Sequence, residues 1–133
     1  MSSFNNILFP FDSSIHSEES FSYAIDLAKN YNSKLIFLYT LRLDNSKKRL
    51  SAADLKKEMN EASAKRLESI KKRFDLDNLI KYEFHTEIGF LASRVLLKIK
   101  EEPIDLLVVE KDHLAELNGA TDKITCPIMI IPY

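Results

Sequence analysis

Hydrophobic positions along the chain change period several times, and the changes mark out its elements. "NNILFPFD" is a short apolar run that reads as a buried strand over Asn6 to Phe11. Ser13, Ser14 and Ser17 follow as candidate helix caps. Phe21, Ala24, Ile25, Ala28 and Tyr31 then recur at helical spacing, predicting a helix from about Ser17 to Asn32 with those five residues on its inner face. "SKLIFLYTL" is almost wholly apolar, as expected of a strand in a parallel sheet covered on both faces. After the polar connection "RLDNSKKRL", Ser51 with Asp54 three residues on resembles a capping box. It opens a long helix to about Phe74, with Leu55, Met59, Ala62, Leu67, Ile70 and Phe74 as its inner stripe and one slip in register.

"LIKYEFHTE" alternates and predicts a third strand at a sheet edge. Phe90 to Glu101 is read as a helix with Val95, Leu96 and Ile99 inward, and "PIDLLVVE" as a buried fourth strand. A loop is expected from Glu110 to Asn118, then a short helix from Asn118 to Thr125, then a fifth strand, "PIMIIP". Strands and helices alternate throughout, which implies an α/β fold: a doubly wound parallel sheet with helices on both faces. With 133 residues and no linker, repeat or low-complexity stretch, residues 1–133 form a single domain.

Composition narrows the chemistry. The formal net charge of −1 favours neither nucleic acid nor an anionic membrane as partner. No apolar run approaches the length of about 20 residues that spans a bilayer. "MSSFNNILFPFDSS" lacks a basic region followed by a long apolar one, so no signal peptide and a cytoplasmic location are expected. Cys126, the single cysteine, permits no internal disulfide and is read as a buried thiol rather than a redox sensor. There are two glycines, where average usage of about 7% would give roughly nine. Phosphate loops depend on glycine for close backbone approach, and the chain has neither G-x-G-x-x-G nor G-x-x-x-x-G-K-[ST].

The segments "NILFPFDSSIHSEESFSYAIDLAKNYNSKLIFLYTL", "EIGFLASRVLLKIKEEPIDLLVVE" and "ATDKITCPIMIIP", in this order and spacing, resemble universal stress protein domains over nearly the whole chain. The likeness is weakest between Arg42 and Tyr82. It implies an adenine-nucleotide alpha-hydrolase-like sheet of order 3-2-1-4-5, with any ligand in the crevice between strands one and four. Members that bind ATP use an Asp after strand one, a contact after strand two and a motif after strand four: G-x-x-G, nine residues, G-[ST]. Asp12 matches the first and Thr40 falls at the second. The third fails: Glu110 stands at the first glycine, no glycine occupies the second place, and the loop is several residues short. Asn118 and Gly119 stand where the last glycine and the hydroxyl residue would be.

These readings predict a non-enzymatic domain without cofactor or ATP, acting in stress adaptation through an unidentified protein partner. The rival reading is a regulatory module that binds adenosine or a similar molecule through Asp12 and Thr40. No catalytic residue is assigned, since Asp12, Ser13 and His16 lie together in sequence without a nucleophile elbow. No metal site is expected, since His16, His85 and His113 lack ligand spacing. The segment from Arg42 to Arg73 holds eleven of the nineteen Lys and Arg against five acids, and is read as the solvated face of the long helix. Finally, Pro127, Ile128, Met129, Ile130 and Ile131 form an apolar edge strand, through which a homodimer is expected.

Overall fold

The computed structural model describes residues 4–14, 18–43 and 49–132. Its elements are β1 (Asn6–Phe11), α1 (Glu18–Tyr31), β2 (Lys34–Leu41), α2 (Ala52–Phe74), α3 (Leu76–Leu79), β3 (Lys81–Ile88), α4 (Leu91–Glu101), β4 (Leu106–Glu110), α5 (Leu114–Leu117) and β5 (Ile128–Ile131). The five strands form one sheet, every pair parallel, in the order β3-β2-β1-β4-β5. Both the fold class and the strand order match the sequence expectation. Ser17 and His16 lie outside the described residues.

The continuous apolar runs of β1, β2 and β4 are divided by the two-residue period of a strand between two cores. Ile7, Phe9 and Phe11 point to one side with Phe37 and Tyr39, against Phe21, Ala24, Ile25 and Ala28 of α1 and Ile70 of α2. Leu8, Ile36, Leu38, Leu107 and Val109 point to the other, against Leu91 and Val95 of α4 and Leu117 of α5. The first core is aromatic: Phe21 meets Phe9 and Phe11 edge-on at centroid separations of 5.3 and 5.1 Å. That geometry suits the quadrupoles of the rings.

Pro10 in the central strand needs an explanation, because it cannot donate to a ladder. β1 pairs with β2 along its whole length, but with β4 only at Ile7 and Leu8. Beyond Leu8 the two strands part, so a missing N–H costs little there, and the parting opens a crevice at the switch point of the sheet.

The helices depart from expectation in four places. Tyr31 is 45% exposed rather than inward, its ring edge-on to Phe4. In α2 only Ile70 is fully buried; Leu55, Met59, Ala62, Leu67 and Phe74 are half-buried, because this helix packs along β3, an edge strand of the sheet. Leu96 and Ile99 of α4 are likewise half-buried, with Val95 fully so. After Asp75, which closes α2 in a left-handed conformation (φ 53°), the extra turn α3 buries Leu76. No helix of the described residues is long and apolar enough to cross a membrane.

Ser51 is the N-cap of α2: its Oγ accepts from the Asp54 backbone N–H at 3.1 Å. Ser51→Ala is expected to destabilise the protein by about 1 kcal/mol. A midpoint in urea that does not move would show that α2 does not depend on this cap.

Candidate functional site

Where β1 and β4 diverge, four elements bring chemistry to one place. β1 ends at Phe11, and Asp12 turns its carboxylate back, so that Oδ1 accepts from the Ser14 N–H at 2.9 Å and from the Ser14 hydroxyl. The Ser14 hydroxyl thus donates to an acid. In β2, Thr40 is buried and its hydroxyl lies 3.4 Å from the carbonyl of Phe11, a long bond that turns it toward the strand. β4 ends in Glu110, 3% exposed. A 3-10 turn over Lys111–His113 then folds His113 back beneath the strand ends, 4% exposed.

α5 follows at once, held down by the fully buried Leu117, and presents Glu116 one turn after His113. The stretch expected to be a loop from Glu110 to Asn118 is therefore helical in two short pieces. The helix expected at Asn118 to Thr125 is a single 3-10 turn at Thr121–Lys123. Gly119 takes φ 88° with open space where a side chain would stand, so its role is the turn and not a close approach of backbone to a ligand.

His113 is the centre of the arrangement. Its Nε2 lies 3.4 Å from Glu110 and 3.9 Å from Asp12, and its Nδ1 lies 3.3 Å from Glu116. Arg42, just past β2, reaches Glu116 at 3.7 Å with its guanidinium over the Phe90 ring. Burial alone would favour the neutral imidazole, but the bond to Glu110, the charge of Asp12 and the bond to Glu116 outweigh it and raise the pKa from 6.5 to about 9. At neutral pH an imidazolium and Arg42 thus face three carboxylates. Asp112, the acid between Glu110 and Glu116, is exposed.

Asp12, His113 and Glu116 bring ligand atoms within 4.8 Å of one another, close enough to share a divalent cation. The proton on His113 competes for that position. The spacing of the histidines gave no sign of this cluster, because Asp12 follows β1, His113 sits in a 3-10 turn and Glu116 lies in α5. The i, i+3 pair Glu110–His113 and the i, i+3 pair His113–Glu116 were the available signal. Glu83, His85 and Glu102 form a second such group, but there the Lys98 ammonium already sits 3.4 Å from both His85 and Glu102.

Comparisons with known proteins agree with the architecture. The model of the Universal stress protein family matches residues 3–132. A search of curated proteins returns no match. Among solved structures, the universal stress protein UspA from Lactobacillus plantarum is 19% identical, with a TM-score of 0.72 over 98% of this chain and 99% of that one. A universal stress protein family member from Burkholderia pseudomallei is 20% identical, with a TM-score of 0.73 over 100% and 99%. A universal stress protein in complex with cAMP is 19% identical, with a TM-score of 0.71 over 98% of each chain.

Proposed function

The chain belongs to the universal stress protein family, and from this premise we propose that it is a non-enzymatic, homodimeric member that does not bind ATP and acts in stress adaptation by contacting another protein. One observation carries the reading. The place of the phosphate-binding glycines is taken by Glu110 and by the His113 cluster of three carboxylates. A triphosphate entering there meets buried negative charge, and like charges a few Å apart repel by about a kcal/mol or more at intermediate dielectric. Asp12 and Thr40, the two matches to nucleotide-binding relatives, are turned to Ser14 and toward Phe11.

Titration calorimetry with Mg-ATP, cAMP and adenosine tests the proposal. No saturable heat is expected below about 1 mM, a free energy no better than about −4 kcal/mol. Micromolar binding of ATP would overturn it. Micromolar binding of cAMP or adenosine alone would replace it with the regulatory-module reading, for which the relative crystallised with cAMP is the support.

A further inference from the structure

A cavity lies on the first-core side of the sheet, between α1, α2, the end of β2 and the turn after β1. Its volume is about 310 Å³, at the low end for small-ligand pockets. Arg66, Ser69, Ile70 and Arg73 of α2 recur at spacings of three and four residues and so share the helix face that lines it. Phe21 and Phe74 give it an apolar wall, and Tyr39 and the Ser13–Ser14 turn close the strand end. This face interrupts the apolar stripe of α2, and Arg66, one of the basic residues read as solvated, turns inward here.

Arg66 is the unusual member. Its guanidinium carbon lies over the rings of Phe11 and Phe21, 5.5 and 5.4 Å from their centroids. Among the described residues no carboxylate pairs with it, and no hydrogen bond uses its donors. Contact with the rings favours the charge of the guanidinium but gives its N–H donors no oxygen acceptor. Those donors form a planar fork that matches a carboxylate. Arg73, by contrast, is ion-paired with Glu18 at the rim, which leaves the cavity about one positive charge from Arg66. Burial raises the pKa of the Tyr39 hydroxyl, which keeps it a donor at neutral pH.

We propose that this cavity binds a small organic monocarboxylate with an apolar body, its carboxylate on the Arg66 fork and its body against Phe21, Ile70 and Phe74. A single positive charge suits a monoanion, and the apolar wall suits a ligand larger than a bare oxyanion. The site is on separate residues from the Glu110–His113 cluster, so the outcome of nucleotide titrations does not bear on it.

Benzoate is a suitable probe, followed through the backbone amide resonances of the whole protein, with inorganic phosphate as the comparison. Benzoate is expected to shift resonances around Arg66, Ser69 and Phe21 with a dissociation constant of about 1 mM, as befits so small a ligand. Phosphate is expected to bind at least tenfold more weakly. Arg66→Gln, checked by circular dichroism, should weaken benzoate at least tenfold, and Arg66→Lys, which keeps the charge but loses the fork, should weaken it several-fold. If Arg66→Gln does not fold, Ser69→Trp at the exposed rim fills the cavity and should abolish binding. No shift at these residues at about 20 mM benzoate, equal affinity in a folded variant, or phosphate binding more tightly than benzoate would each overturn the proposal.

Discussion

Stability is expected to fall by up to about 3 kcal/mol as the pH rises from about 6 to about 9.5, and His113 is the cause. Its pKa is raised from 6.5 to about 9 on folding. A group whose folded pKa lies above its unfolded value contributes fully below the unfolded pKa and loses that contribution as the pH climbs through the folded one. The window therefore opens near 6.5 and closes near 9, and each unit of difference is worth about 1.4 kcal/mol. Deprotonation leaves Asp12, Glu110 and Glu116 facing one another, with Arg42 at 3.7 Å from Glu116.

Urea unfolding across this range measures the slope. His113→Asn is expected to be destabilised at pH 6, since it removes the imidazolium that faces the three acids, but its stability should be nearly flat from about 6.5 to about 9. The gap between the two proteins should thus narrow as the pH rises. A wild-type curve flat over the same range, or an imidazole resonance of His113 titrating near 6.5, would dismiss the account.

His113 also shows what could not be seen from the sequence. The run of strands and helices was legible because the sheet has two covered faces: "KLIFLYTL" admits no exposed side, and "AIDLA" repeats at helical spacing. Asp12 was legible as the acid after β1. The pairing of Asp12 with His113, 101 positions apart, depends on where β1 and β4 part and on a 3-10 turn that reverses the chain immediately after Glu110. Neither leaves a periodic trace, and four-residue helices such as α3 and α5 are too short to show one. Tyr31 misled because helical spacing marks a face, not how far the sheet extends beneath it; its ring meets Phe4, which precedes β1, and stays 45% exposed. The slip in the α2 stripe carried information, since Arg66 and Ser69 interrupt it where the helix lines a cavity.

Ile130→Lys is expected to convert a dimer into a folded monomer. The two edges of the sheet differ in kind. β3, at one end, carries Lys81, Glu83, His85 and Glu87, charges that discourage another strand from pairing. β5, at the other end, reads Ile-Met-Ile-Ile and has no such guard. Its side chains are not equivalent. Ile131 is fully buried within one chain, so it can offer a partner only its backbone, a revision of the interface expected from the sequence. Met129 packs on the first core and Ile128 on the second, each half-buried. Ile130 is 47% exposed, which makes it the apolar side chain best placed for a seam. Pro127 and Pro132 confine the pairing to this short segment. In a two-fold assembly each substitution occurs twice, so a central contact worth about 2 to 4 kcal/mol is lost twice over. Light scattering at micromolar concentration should give twice the chain mass of 15.3 kDa for the wild type and that mass itself for Ile130→Lys, with unchanged circular dichroism. Ile131→Lys is the contrasting variant: its charge enters the first core, so it should fail to fold rather than dissociate cleanly. A wild-type protein that scatters as one chain would end the dimer proposal, and a dimeric Ile130→Lys would move the interface elsewhere.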